Sequence, residues 1–146
     1  MNRTVIALGF FDGVHRGHGA LLEMTVRRAR ELGAVPAAFT FDRPPKEVVT
    51  GRPVGLINTS EDRRDLMQRL YGIRQVIIAP FDNAMMTMPW QDFIDDLLIG
   101  TYGAVHLVAG HDYHFGLVAH RGIVRDQMEG FICHAALSFR LSWNHK

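Results

Sequence analysis

One stretch near the N-terminus decides the predicted fold: Leu8-Gly9-Phe10-Phe11-Asp12-Gly13-Val14-His15-Arg16-Gly17-His18. It follows a short apolar run, Thr4 to Leu8, that is typical of a buried strand, and it precedes an amphipathic run that is typical of a helix. Glycines in the turn let backbone N–H groups approach a ligand closely, and a helix N-terminus carries partial positive charge. The two histidines can project from one side of the helix start. The strand, turn and helix together predict a site for phosphate groups, although a glycine-rich turn alone often only connects two elements.

The bulk properties of the chain limit its function classes. With 146 residues, 47% of them hydrophobic, it is long enough for one ordinary domain with a buried core. The net charge of +1 argues against a dedicated nucleic-acid-binding protein. We expect no membrane association, because no apolar run approaches the ~20 residues of a membrane span and no signal-peptide pattern is present. The chain has a single cysteine, Cys133, so no internal disulfide can form, and we expect a reducing compartment such as the cytoplasm. We interpret Cys133 as a small apolar residue that fills space in the core.

Apolar runs typical of strands alternate along the chain with amphipathic runs typical of helices. Strands are predicted at Thr4 to Leu8, Val35 to Phe41, Gln75 to Ala79 and Ala104 to Ala109. Helices are predicted at His18 to Leu32, from Thr59 or Ser60 to Gly72, and from Pro89 onward. This alternation predicts an α/β fold with a Rossmann-like parallel sheet that helices cover on both faces.

Each predicted helix has an apolar side that should face the sheet. The side chains expected there are, helix by helix, Leu22, Val26 and Ala29; Leu66 and Leu70; and Phe93, Leu97 and Leu98. We interpret Met85, Met86 and Met88, beside Trp90, as core packing around a helix start rather than as an adhesive surface.

The most distinctive residues lie at the ends of the four predicted strands. They are Gly9 to His18, Asp42, Pro80 to Asp82, and Gly110 to Gly116. In parallel α/β sheets, ligands bind beyond the carboxyl ends of the strands, where the strand order reverses. We therefore expect these segments to line one crevice.

Six motifs within residues 5–122 carry a family resemblance. They are Gly9 to His18, Thr40-Phe41-Asp42, Glu61-Asp62-Arg63, Pro80-Phe81-Asp82, Met88-Pro89-Trp90-Gln91-Asp92-Phe93 and Gly110-His111-Asp112-Tyr113-His114-Phe115-Gly116. In this order and spacing they resemble the adenylyltransferase domain of bacterial FAD synthetase, within the nucleotidyltransferase superfamily that has a His-x-Gly-His signature. The resemblance implies transfer of AMP from ATP to the phosphate of FMN, giving FAD and pyrophosphate, with Mg²⁺ accompanying ATP.

The resemblance also implies roles for particular residues. His15 and His18 would be the catalytic pair that holds the ATP phosphates, while Gly9, Phe10 and Gly17 would line the path of the nucleotide. Asp112 stands where the family has Asn or Asp near the flavin, and Phe115 and Gly116 would shape that wall. The remaining residues assigned to nucleotide or flavin binding are Phe11, Asp12, Gly13, Asp42 and Gly110.

The sequence departs from the family's pattern in two places. Pro44 stands where the family commonly has a His, and residues 123–146 lack the Ser-Ser/Thr-x-x-Arg motif that binds the ATP phosphates from the other side. We therefore expect an adenylyltransferase domain over residues 1–122, a truncated or divergent C-terminal tail over residues 123–146, and no riboflavin kinase domain.

Two other functions fit the same residues, and a metal site is a third interpretation. A non-catalytic nucleotide- or flavin-binding protein of the same fold and a transferase with another phosphorylated acceptor both remain open. A zinc site at His111, Asp112, His114 and His120 is not adopted, because no cysteine pair or second cluster supports it.

Overall fold

A computed structural model of the chain describes residues 3–11, 16–43, 50–53, 55, 59–109 and 137–140, with the backbone alone for residues 16, 17, 90 and 137–140. The elements are, in chain order, β1 (Thr4–Leu8), α1 (Arg16–Leu32), β2 (Val35–Phe41), α2 (Ser60–Tyr71), β3 (Gln75–Ala79), α3 (Asn83–Thr87), α4 (Trp90–Asp92), a π-helical segment (Phe93–Thr101), β4 (Ala104–Ala109) and β5 (Leu137–Arg140). None of the helices in this described part is long and apolar enough to span a bilayer.

The strands form one sheet in the order β3-β2-β1-β4-β5. The first four strands are parallel, and β5 pairs antiparallel with β4. The predicted α/β fold with a parallel sheet is therefore confirmed. Because β1 pairs with β2 on one side and with β4 on the other, the strand order reverses at β1, where α/β sheets bind their ligands.

Apolar side chains cover both faces of the sheet, as predicted. On one face, Ile6 and Phe39 pack with residues of the π-helical segment such as Leu98. On the other face, Val5 packs with Leu22 of α1. All five residues of β1 are buried, which is expected of a central parallel strand with helices on both sides.

The four predicted strands match the observed β1 to β4 from end to end. Two elements were not predicted. The first is the short helix α3, whose N-cap Asp82 accepts a hydrogen bond at 2.9 Å from the backbone N–H of Met85. The second is β5, which lies in the tail where the sequence shows no clear periodicity. Met85, Met86 and Met88 pack partly buried against the core, as interpreted from the sequence.

The inward face of α2 differs from the prediction. Leu66 and Leu70 were expected to face the sheet, but Leu70 is 59% exposed and Leu66 is only partly buried. The fully buried side chains of this helix are Arg63 and Met67. The prediction was wrong because it relies on apolar side chains four positions apart. The first inward residue of this helix is Arg63, which is not apolar.

Candidate functional site

The residues that follow β1 are tied to β2. The backbone N–H of Gly9 donates to the Phe39 carbonyl oxygen at 3.3 Å. The carbonyl oxygen of Phe10 accepts a hydrogen bond of 2.7 Å from the Thr40 hydroxyl. It accepts a second one, also of 2.7 Å, from Nη1 of Arg63. The carbonyl that opens the turn is therefore fixed in direction by two side chains from other elements.

Arg63 is fully buried at the start of α2 and joins three segments of the chain. Besides the Phe10 carbonyl, Nη1 donates to the Thr40 hydroxyl at 2.8 Å. Nη2 donates to the Phe41 carbonyl at 2.9 Å and to the Ser60 hydroxyl at 3.1 Å. The guanidinium carbon lies 4.2 Å from the centroid of the Phe10 ring, a cation–π distance. The planar fork of a guanidinium can serve several acceptors at once, which suits arginine to this position.

Phe11 adopts a left-handed backbone conformation with φ of 62°. A residue with a side chain is rarely found there, and the conformation costs roughly 1–3 kcal/mol unless its surroundings impose it. Its ring is only 1% exposed and packs closely over Gly9, where an added Cβ atom would lie 2.9 Å from the Phe11 Cζ. Backbone strain of this kind is concentrated at functional sites, which makes the turn a candidate.

Helix α1 begins at Arg16, five residues after Phe11. Its first turn contains no acidic residue, and it includes Gly17 and His18. The imidazole of His18 meets the Phe11 ring edge-on, with 5.2 Å between the ring centroids and 77° between the planes. A helix start whose first turn has no acidic residue and includes an imidazole is suited to binding an anion.

Asp42 links the ends of β2 and β3. Its backbone N–H donates to the Ala79 carbonyl at 2.9 Å, and its carboxylate Oδ1 accepts from the Phe81 N–H at 3.1 Å. The Arg43 Nε lies 3.8 Å from the same oxygen. The Asp42 side chain is 39% exposed, so it is also accessible from solvent at this edge of the sheet.

The structure places some of the predicted site residues at the carboxyl edge of the sheet and leaves others undescribed. Gly9, Phe10, Phe11, Gly17, His18 and Asp42 all follow β1 or β2 at this edge. The predicted site residues His15, Asp12, Gly13, Gly110, Asp112, Phe115 and Gly116 lie outside the described residues, as do Pro44, Cys133, His111, His114 and His120. Within the described part of the chain, no group of three or more His, Cys, Asp or Glu side chains is placed to hold a metal ion.

Two residues that shape this edge received no role from the sequence. Arg63 and Thr40 lie in two of the motifs that carry the family resemblance, yet only the structure brings them to the Phe10 carbonyl. A charged residue on the inward face of α2, one helical turn before Met67, was the available signal.

The order of the strands and the turn after the central strand define a class of protein. It is an α/β protein of the doubly wound type, with its candidate site beyond the carboxyl ends of the parallel strands. The chain belongs to the FAD synthetase family, because the model of that family matches residues 1–129.

Curated relatives agree with this membership. The bifunctional riboflavin kinase/FMN adenylyltransferase of Listeria monocytogenes is 34% identical over 114 residues, which are 77% of this chain and 36% of that protein. The bifunctional riboflavin kinase/FMN adenylyltransferase of Bacillus subtilis is 34% identical over 117 residues, with 78% and 36% covered. The chain thus spans little more than a third of the length of these relatives.

A solved structure has a similar fold. It is described as a macrolide-efflux protein from Streptococcus pneumoniae, and it matches with a TM-score of 0.70 and 26% sequence identity. The match covers 81% of this chain and 39% of that one.

Proposed function

We propose that the chain is an FMN adenylyltransferase that converts ATP and FMN to FAD and pyrophosphate. The observation that carries this proposal is the junction of β1 and α1. There, a helix start with His18 and without an acidic side chain stands at the carboxyl end of the central strand. Family membership supports the same reaction, since the curated relatives are named for it.

The reaction is a displacement at phosphorus. A phosphate oxygen of FMN attacks the α-phosphorus of ATP, the bond from that phosphorus to the bridging oxygen of the β-phosphate breaks, and pyrophosphate leaves with the electron pair. The attacking phosphate is already ionised at neutral pH, so no general base is required. The protein has to position the two phosphates in line and stabilise the negative charge that grows on the leaving group.

His18 and the first N–H groups of α1 are the groups that we assign to this charge. An imidazole N–H and the backbone donors of a helix start would bind phosphate oxygens, and His15 would add a second imidazole. Mg²⁺ bound with ATP neutralises phosphate charge, and it needs only one or two carboxylates from the protein. Among the described residues, Asp42 at the end of β2 fits that need, because its side chain is partly exposed at this edge.

The test measures FAD by chromatography after the 146-residue chain is incubated with ATP, FMN and Mg²⁺. Loss of one preorganised donor typically lowers kcat by about 10²–10³-fold, and we expect this of His18→Ala. The control is Arg27→Ala, on the exposed face of the same helix, which should turn over like the unaltered chain. Equal turnover of His18→Ala and Arg27→Ala would refute the assignment. No product from the unaltered chain, with ATP still raising its melting temperature, would leave a nucleotide-binding protein instead.

A further inference from the structure

The buried guanidinium of Arg63 lies at the junction of three segments that border the candidate site. It contacts the end of β1 at the Phe10 carbonyl, the end of β2 at Thr40 and Phe41, and the start of α2 at Ser60. Because one guanidinium bonds to all three segments, it can determine the conformation of the backbone at this edge of the sheet.

We propose that Arg63 is a positioning residue for His18, acting through the Phe10–Phe11 peptide and the Phe11 ring. The inference rests on the proposed function for its effect on turnover, but its structural part can be measured without any substrate. Arg63 itself does not touch the nucleotide in this account.

The first step runs from Arg63 to the backbone of Phe11. The Phe10 carbonyl belongs to the peptide that joins Phe10 to Phe11, so its direction constrains the φ of Phe11. Two hydrogen bonds of 2.7 Å, from Arg63 and from Thr40, fix that direction. The guanidinium also makes a cation–π contact with the Phe10 ring, which gives Arg63 a second contact to the same residue. Without these contacts, the left-handed conformation of Phe11 has less to impose it and should relax.

The second step runs from Phe11 to His18. The Phe11 ring, which follows this left-handed backbone, is buried over Gly9 and makes a T-shaped contact with the imidazole of His18, with 5.2 Å between the ring centroids. If the Phe11 backbone relaxed to the usual negative φ, the ring would leave this position. His18 would then lose this aromatic contact, and we expect its imidazole to reorient at the start of α1.

The test compares Arg63→Met with Arg64→Met, the same change at the neighbouring exposed position of the same helix. The His18 imidazole is observed by NMR in the chain without ligands, with its signal assigned by His18→Asn. With 5.2 Å between the two ring centroids, the ring current of Phe11 shifts the His18 signal, so we expect the signal to move in Arg63→Met and to stay in Arg64→Met. Arg63→Lys keeps a charged donor but not the planar fork that serves several acceptors, so it should restore the original signal only in part.

A second pair of variants, each of which loses only one buried hydroxyl, tests the proposal if Arg63→Met does not fold. Thr40→Val removes only the hydroxyl that bonds the Phe10 carbonyl and Arg63. Thr25→Val removes an equally buried hydroxyl, which donates to the Leu21 carbonyl within α1 at 2.8 Å. Both changes should lower the melting temperature, but only Thr40→Val should move the His18 signal.

Turnover gives the second readout. A small misplacement of a catalytic group can cost about a hundredfold in rate, so we expect kcat of Arg63→Met to fall by about that factor with little change in KM. The fall should be much smaller in a His18→Asn background, since Arg63 acts through His18. An unmoved His18 signal in Arg63→Met or in Thr40→Val, or a full hundredfold fall in both backgrounds, would overturn the proposal. Failure of the unaltered chain to make FAD would contradict the proposed function and leave the NMR result standing.

Discussion

At the scale of single residues, Gly9 contributes to the site by leaving room for a neighbouring ring. An added Cβ atom would lie 2.9, 3.0 and 3.2 Å from three carbons of the Phe11 ring, which is buried and has little space to move. We expect Gly9→Ala to lower the free energy of unfolding by about 1–3 kcal/mol, the usual cost of overpacking. It should also displace the His18 signal, since the Phe11 ring must shift.

The matched control for that change is Gly55→Ala. An added Cβ atom at Gly55 meets nothing within 4 Å. Chemical denaturation of both variants measures the difference. The steric account of Gly9 fails if the two alanine variants unfold at the same denaturant concentration.

Asp42 offers a way to separate a structural from a functional role at one residue. Its Oδ1 accepts the Phe81 N–H at 3.1 Å, and an asparagine keeps that oxygen while it loses the charge. We expect Asp42→Ala to lower the free energy of unfolding by about 1 kcal/mol, because it removes the acceptor, and Asp42→Asn to keep it near the original value. Both should slow FAD formation if the carboxylate serves the MgATP complex.

Asp65→Ala is the control for this pair. Asp65 forms an exposed ion pair with Arg69, which is worth at most about 1 kcal/mol, and it lies away from the strand ends. Equal FAD formation by Asp42→Asn and the unaltered chain would assign Asp42 a purely structural role.

At the scale of elements, α2 contacts both the end of β1 and the start of α1. Arg63 in its first turn reaches the Phe10 carbonyl, and Tyr71 in its last turn packs against Gly19 of α1. The helix is well delimited, since the Thr59 hydroxyl accepts from the Asp62 N–H at 3.1 Å and Gly72 ends it with φ of 76°. These caps delimit the helix that holds Arg63 and Tyr71 at a fixed separation along α2.

Because Gly19 lies against Tyr71, the effect of Gly19→Ala on stability should change sign when the tyrosine is removed. An added Cβ atom at Gly19 would lie 2.8 Å from the Tyr71 hydroxyl oxygen, so Gly19→Ala should destabilise the chain by about 1 kcal/mol. In a Tyr71→Ala background the clash is absent. There the same change should stabilise the chain by up to about 1 kcal/mol, because alanine is the better helix former.

Thermal unfolding of the four chains in this cycle measures the coupling. Tyr71→Phe removes the nearest atom but leaves ring carbons at 3.1 and 3.2 Å, so that background should give an intermediate result. The same effect of Gly19→Ala in all three backgrounds would show that the two helices do not constrain each other here.

The sequence predicts elements well where local pattern and tertiary environment agree. The four parallel strands are apolar, β-branched runs that need no partner to be recognised, and their ends match the observed ones. The inward face of α2 was not predictable in this way, because Arg63 is buried by hydrogen bonds to backbone carbonyls that only the folded chain brings near it. The sequence does not predict β5 for a related reason. This strand forms by pairing with β4, and that partner is supplied only by the folded chain.

The candidate site was predictable only in part. The strand, turn and helix around His18 follow from the glycines and the spacing of the histidines in the sequence. The left-handed Phe11 does not, because phenylalanine has no intrinsic preference for that conformation, and the surroundings that impose it come from β2 and α2.

At the scale of the whole molecule, the two ends of the parallel strands differ in the residues that they carry. The carboxyl ends of β1, β2 and β3 carry Phe10, Asp42 and Phe81, while their amino ends carry connections such as the hydrogen bond from the Ala34 N–H to the Ala29 carbonyl. Strand β5 lies beyond the residues that the family model matches, so the family pattern covers the parallel strands and not this fifth one.

This difference predicts how ligand binding is distributed over the molecule. Backbone hydrogen exchange should be slowest in β1, which is buried and paired on both sides, and faster in the short exposed helix α3. With MgATP, exchange should slow further at residues 9–11 and in the first turn of α1. The amino-end residues 33–35 and 72–75 should change much less, because they lie at the opposite edge of the sheet. Slowing centred on the amino edge would place the nucleotide at the wrong end, and equal slowing at both edges would reflect only the general stabilisation that any ligand gives.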